Sequence, residues 1–238
     1  MTARLFLDDS YLTEAAGVVI AAEPGVVMLD RTPFYARSGG QPGDRGTLSW
    51  EGGALDVAQA VKGEGEEIRH EVSPGALPAP GTSVHARIDW ALRHRLMRMH
   101  TTLHLLCSLL PGAAVTGGQI GADRSRLDFD LPQAPDKDQL DAGLRALVAA
   151  GHPVSAEWVD EAVLDSNPGL VRTLSVAPPR GTGRLRLVRI GGAGAPVDLQ
   201  PCGGTHVRST AEIGGVTVLR IENKGRQNRR ISLALEDL

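Results

Sequence analysis

Aromatic residues are scarce: Phe 3, Trp 3 and Tyr 2 in 238 residues. The core has to be assembled from Leu, Val, Ile and Ala, and base stacking on aromatic rings is not a main grip on any nucleic acid. Cysteine is scarcer still. Cys107 and Cys202 cannot make a disulfide framework, so their uses in a reducing compartment reduce to packing, nucleophilic chemistry or metal ligation. No apolar run is long enough to span a bilayer, and the chain does not start with a basic-then-apolar leader. A soluble, cytoplasmic protein is expected. Charge of one sign is lacking too: 25 Lys+Arg stand against 28 Asp+Glu, a formal net of −3, which excludes a surface coated for nucleic-acid binding.

What is present is an ordinary globular composition, 42% hydrophobic and 22% charged, on a chain long enough for one large or two small domains. Charge divides along the chain. Residues 1–86 carry 6 Lys/Arg and 12 Asp/Glu; residues 87–238 carry the other 19 and 16. Such a change marks a domain boundary and puts any anionic partner on the second half.

The first 86 residues read as short strands between turns. Gly17–Ile20, Gly25–Leu29 and Gly46–Leu48 are β-branched or apolar stretches bounded by Gly, Pro and Asp, and no segment keeps a helical period for ten residues. A small β-barrel or sandwich follows. The loop Ser73–Gly81 precedes the boundary, placed near residue 86. Asp89–Leu110 is the clearest helix: Asp89 is an N-cap, Leu92, Leu96, Met99, Leu103, Leu106 and Leu110 keep helical spacing, and Pro111-Gly112 ends it. A hairpin is expected over 114–130, a helix over 136–150, and strands at 153–160, 184–190, 216–222 and 230–235. Helices followed by an antiparallel run give residues 87–238 an α+β class.

His100 and His104 lie four residues apart on that helix, hence on one face, where two imidazoles can hold one ion. Taken alone, they read better as core or surface histidines. The pair lacks the Glu of His-Glu-x-x-His, so a zinc protease is excluded. A hundred residues on, Pro201-Cys202-Gly203-Gly204-Thr205-His206 again sets Cys and His four apart, over two glycines that allow a tight turn. Thiolate and imidazole are zinc donors, and four of them make a tetrahedral set. The alternatives for Cys202 are a buried inert thiol and a nucleophile activated by His206. Cys107 shares the helical stripe of the histidines but sits within Leu105-Leu106-Cys107-Ser108-Leu109-Leu110, so it is assigned to the core.

Together, His100-Thr101-Thr102-Leu103-His104 and Cys202-Gly203-Gly204-Thr205-His206 resemble the zinc signature of the alanyl-tRNA editing (AlaX) family. That family comprises the editing domain of alanyl-tRNA synthetase and its free-standing relatives, and the second domain of threonyl-tRNA synthetase shares the fold. Val115-Thr116-Gly117-Gly118-Gln119-Ile120 with Arg126-Leu127-Asp128-Phe129-Asp130 resembles the family hairpin. Arg220-Ile221-Glu222 through Arg229-Arg230-Ile231 resembles its last strand pair. Phe34-Tyr35 with Ser38-Gly39-Gly40-Gln41-Pro42-Gly43-Asp44 resembles the Gly-rich motif of the N-terminal barrel in longer members. Two departures are visible: Ala36 stands where Pro is common, and Ser38 opens what is usually a triple glycine.

The resemblance implies a β-barrel over residues 1–86 and a zinc-binding editing domain over 87–238. It implies one Zn2+ on His100, His104, Cys202 and His206, and hydrolysis of seryl or glycyl esters on alanine tRNA. No adenylate-forming domain fits in this length, so ligase activity and a nucleotide cofactor are not expected. Four protein ligands would fill a tetrahedral shell. Either the ion gains or trades a position, or it orders the pocket while other groups act on water; both readings stand. Thr101, Thr102, Thr116 and Gln119 are the candidates for recognising the serine hydroxyl. Arg93, Lys224, Arg226, Arg229 and Arg230 are the candidates for tRNA phosphates, with Arg95 and Arg98 beside the first. The loop 38–46 lacks the Lys-Ser/Thr of a P-loop; its glycines serve tight turns, and by the resemblance it meets the tRNA acceptor end. The rival readings are a non-catalytic zinc-stabilised tRNA-binding module and a Cys202–His206 thiol esterase.

Overall fold

In the first 94 residues, side-chain alternation decides the architecture. The computed structural model describes residues 1–173, 181 and 183–236, and the chain divides into two compact units, Met1–His94 and Arg95–Leu238. Two short strands, β1 (Ala3–Arg4) and β4 (Arg31–Thr32), pair in parallel at the edge of the first unit. The rest is a closed barrel of β2 (Glu14–Glu23), β3 (Val26–Leu29), β5 (Gly46–Trp50), β6 (Gly53–Lys62), β7 (Ile68–Val72) and β8 (Ser83–Ile88), in the order β2-β3-β7-β6-β5-β8. Every pairing is antiparallel.

Closure leaves no free edge, and alternate residues fill the interior. Val84, Ala86 and Ile88 point inward from β8, and Ile68, His70 and Val72 from β7. A register shift in β6 between Val57 and Gln59 turns Leu55, Val57 and Ala60 onto the same interior. The Gly-rich loop lies against this wall. A Cβ on Gly43 would stand 1.9 Å from the Ala60 carbonyl oxygen, so only glycine lets the backbones meet there.

The second unit starts inside the long helix. Helix α1 (Trp90–Ser108) is capped as expected, with Asp89 Oδ1 accepting from the Leu92 amide at 3.0 Å. It is followed by the hairpin β9 (Ala114–Gln119) and β10 (Arg124–Asp130), then α2 (Lys137–Ala149), whose Asp136 cap accepts from Gln139 N. Two sheets complete the unit. One has the order β14-β15-β10-β9, with β14 (Val216–Asn223) and β15 (Asn228–Leu235); the other is β11 (Val154–Asp160), β12 (Arg184–Gly191) and β13 (Pro196–Pro201). The α+β class and the small barrel are therefore observed. So are both helices, the 114–130 hairpin and the four later strands.

Besides the two-residue strands β1 and β4, the longer strands β6, β7, β8 and β13 were not read from the sequence. Their inward positions are shared with small or polar residues (Ala60, His70, Ala86, Asp198, Gln200), which blurs the apolar alternation. Helix α1 differs from its expected stripe: residues 96–107 are buried without interruption, so it is a central rather than an amphipathic helix. Among the described residues no helix is long and apolar enough to cross a membrane.

His70 is a polar member of the barrel core. Its Nδ1–H donates to the Val27 carbonyl (2.9 Å), its Nε2 accepts from the Thr32 hydroxyl (2.8 Å), and Phe34 meets its ring edge-on. Both ring nitrogens are satisfied only when the imidazole is neutral. Burial, against the Val27 hydrogen bond, pushes its pKa down from 6.5 to about 4. The unfolded chain then binds a proton that the folded barrel refuses, so stability present above pH 6.5 is lost as pH falls toward 4, by about 3 kcal/mol. Urea unfolding of wild type and His70→Gln between pH 7 and pH 4 checks this. The stability advantage of the wild type should shrink across that window; parallel curves would refute it.

Candidate metal centre

Two segments meet to form the centre. On α1, the four-residue spacing stacks His100 and His104 one turn apart, with ring centroids at 5.2 Å. On β13, period-two alternation buries Asp198 and Gln200 on one face, and the chain leaves the strand at Pro201 into the Cys202–His206 turn. Arg186 of β12 clasps that turn: its guanidinium donates to the carbonyls of Cys202 (2.8 Å) and Gly204 (3.0 Å), while Cys202 N–H donates to the Arg186 carbonyl (3.1 Å).

The donor atoms of His100, His104, Cys202 and His206 all lie within 4.8 Å of one another. The Cys202 Sγ is 3.5 Å from His100 Nε2 and 3.3 Å from His206 Nε2, and it accepts from the Gly204 amide at 3.4 Å. The other faces of two rings are held from behind. His104 Nδ1 meets Asp198 Oδ2 at 2.9 Å, and His206 Nδ1 meets Thr101 Oγ1 at 3.1 Å. Because the Thr101 hydroxyl donates to the Met97 carbonyl (2.9 Å), its oxygen accepts from His206, which leaves His206 Nε2 as the free lone pair facing the thiol.

Electrostatics favour a cation here. Burial opposes ionisation of Cys202, yet the positive fields of His100 and His206 and hydrogen bonds from His100 and His104 bring its pKa well below the usual thiol value. Burial also opposes charge on His104, but the hydrogen bonds to Asp198 and Cys202 raise it to about 10. His206 goes the other way, driven down by burial and by the charge on His100. One thiolate and three converging imidazoles, backed by a carboxylate and a hydroxyl, form a donor set and outer shell that fit a zinc-type ion. Cys107 lies apart from the four. Its thiol is buried and pushed up to about 12, first by desolvation and then by Asp198, as befits a core residue.

The remaining site expectations divide. Thr101 belongs to the centre, but as the partner of His206 and of the Val207 amide (3.3 Å). Thr102 is fully buried and donates to the Arg98 carbonyl (2.8 Å), a helix-internal bond. Thr116 is half-buried, its hydroxyl donating to the Asp128 carbonyl, and Gln119 is exposed.

Two of the candidates for tRNA phosphates are buried. Arg93 is 0% exposed and ion-paired to Asp44, and it donates to the carbonyls of Ser10 (2.8 Å) and Pro33 (2.7 Å). Arg229 is buried and its guanidinium donates to the carbonyls of Pro132, Gly225, Arg226 and Asn228. Arg98 is likewise buried against the Ile213 carbonyl. Lys224 and Arg226 are exposed in the β14–β15 turn, and Arg230 is half-exposed with a two-pronged grip on Asp128. Three members of the centre's surroundings, Asp198, Gln200 and Arg186, were missed from the sequence. Counting back in twos from Cys202 along a strand would have flagged the first two.

Two family models match the chain. That for the second additional domain of threonyl and alanyl tRNA synthetases covers residues 185–232, and that for class II (A) tRNA synthetases covers residues 7–92. Barrel, α+β unit and His/Cys centre thus define a protein built of aminoacyl-tRNA synthetase-related domains. Over its full length the chain is 36% identical to alanyl-tRNA editing protein AlaX-M of Methanosarcina acetivorans, covering all of that protein, and 32% identical over 97% of its length to AlaX-M of Saccharolobus solfataricus, covering 98% of it. It is also 36% identical over 93% of its length to alanine–tRNA ligase of Pyrobaculum aerophilum, of which it spans 25%. The chain belongs to the AlaX-M family of alanyl-tRNA editing proteins.

Metal analysis of unchelated protein checks the ligand set. Wild type and Cys107→Ala should each carry one zinc per chain, and Cys202→Ala should lose it. Zinc kept in Cys202→Ala and lost in Cys107→Ala would reverse the assignment.

Proposed function

We propose that the protein is a trans-editing hydrolase of the cytoplasm: it cleaves the ester of mischarged alanine tRNA, seryl-tRNA first and glycyl-tRNA second, and does not aminoacylate. The carrying observation is the convergence of His100, His104, Cys202 and His206 in a chain that matches AlaX-M proteins end to end. We read the barrel as one domain to about residue 86 and the editing domain as residues 87–238.

Ester hydrolysis needs a placed carbonyl, a water and stabilisation of the developing oxyanion. His100, His104, Cys202 and His206 would hold a zinc ion, which when bound would supply positive charge to polarise the ester or lower the pKa of water. The chain's own part is to fix that charge. Asp198 and Thr101 hold two rings with Nε2 forward, and Arg186 fixes the turn carrying Cys202 and His206. The donor atoms of the four side chains face one another, so with a metal bound they would be occupied as ligands and would not serve as the general base. Serine is chosen over alanine by a polar contact that alanine leaves empty, since such a contact discriminates far better than size. Thr116, half-buried, and Gln119, exposed, are our candidates for it.

A second reading draws on one observation: the Cys202 thiol sits 3.3 Å from His206 Nε2, a nucleophile–base distance. Incubation with seryl-, glycyl- and alanyl-tRNA for alanine and with a simple ester, with and without chelator, separates the readings. Loss of the seryl ester, with the alanyl ester spared and chelator abolishing turnover, supports editing. Ester cleavage that survives chelation supports the thiol enzyme, and no turnover with retained tRNA binding supports a zinc-stabilised binding module.

The tRNA body is gripped by phosphate contacts at the β14–β15 turn, through Lys224 and Arg226 with Arg230 beside them. Each such contact releases counterions, so affinity falls as salt rises. The double variant Lys224→Ala/Arg226→Ala should bind alanine tRNA more weakly, with a log–log salt slope shallower by about 2. Zinc content should be unchanged. An unaltered slope would place the grip elsewhere.

A further inference from the structure

Asp198 is a buried carboxylate that has no ion pair with Lys or Arg among the described residues. The residue is 2% exposed on β13. Its Oδ2 accepts from His104 Nδ1–H at 2.9 Å and from the Gln200 side-chain amide at 2.8 Å, while its Oδ1 has no hydrogen-bond partner among the described residues. His104 is its one ion-pair partner among them. Arg186, on the adjacent strand, gives two N–H groups to the carbonyls of Cys202 and Gly204 instead. A buried carboxylate needs positive charge close by, and a His104 ring that gives its Nε2 lone pair to a metal is neutral, so that charge then has to come from the ion. One bond away through the His104 ring lies the four-donor cluster, where only Cys202 can contribute an anion. A divalent ion there, bound by one thiolate and three neutral imidazoles, keeps one positive charge. The Asp198 carboxylate cancels it.

We propose that Asp198 is the counter-charge and positioning residue of the metal centre: it fixes His104 as the tautomer with Nε2 forward and neutralises the bound dication from behind. This rests on the reading of the cluster as a metal site. The structure provides an internal comparison. His206 is backed by the neutral Thr101 hydroxyl at 3.1 Å, which orients the ring without supplying charge. Removing the carboxylate should therefore weaken the ion more than removing the hydroxyl.

The test is competition for Zn2+ and Co2+ between the stripped full-length protein and a chromophoric chelator, with Co2+ absorption reporting the ligand geometry. Wild type should bind one ion. Asp198→Asn should bind one ion with tetrahedral thiolate spectra but about 10- to 100-fold more weakly, and should lose it faster to chelator. Thr101→Val should lose clearly less. Equal affinity of Asp198→Asn and wild type overturns the proposal while leaving the metal site standing. Absence of binding by wild type overturns the metal reading itself. Should Asp198→Asn not fold, Gln200→Ala carries the test, because it removes the amide that holds Oδ2. A severalfold weaker ion is expected, and unchanged affinity overturns the positioning role.

Discussion

The second unit depends on one arrangement: three imidazoles and a thiol brought within 4.8 Å of one another in a buried place. Such a group is unfavourable without compensation, since packing titratable donors together removes their hydration. The surrounding structure supplies the compensation. Helix α1 is buried throughout residues 96–107, which fixes the heights of His100 and His104. Strand β13 delivers the turn that carries Cys202 and His206, and Arg186 ties that turn to β12 through two carbonyls. Thr101 reaches from the helix to both the His206 ring and the Val207 amide, so the two halves are bonded to each other and not merely adjacent.

This arrangement also shows why two short motifs were legible a hundred residues apart. Ligand chemistry restricts residue type as well as spacing, so Cys-x-x-x-His and His-x-x-x-His remain visible whatever surrounds them. The first helix was legible through Asp89 and the leucine spacing, and the glycine turn through its own composition. Strand β13 was not, because its buried positions are Asp198 and Gln200, which look like surface residues in a sequence. Their burial follows from the centre they serve. In the barrel, His70 and Ala60 hide β7 and β6 in the same way, with a register shift in β6 interrupting the alternation further. Tertiary partners, absent from a linear pattern, decide such positions.

Arginine is the residue type whose place in the fold the sequence leaves most open, and the structure explains why. A guanidinium suits phosphate, but its fork of donors suits backbone carbonyls equally well. A chain with 29 Gly and 15 Pro has many loop carbonyls that no ladder satisfies. Four buried arginines answer that need: Arg93 for Ser10 and Pro33, Arg98 for Ile213, Arg186 for Cys202 and Gly204, and Arg229 for the β14–β15 turn and Pro132. Arg93 also carries a buried carboxylate partner, Asp44, whose second role is to accept from the Tyr35 amide (2.6 Å) and so pin the start of the Gly-rich loop. Basic residues counted along the sequence thus overstate the surface available to an anionic partner. The β14–β15 turn illustrates the division of labour. Arg229 folds back to hold the turn's carbonyls, and that inward hold is what presents Lys224 and Arg226 outward to solvent.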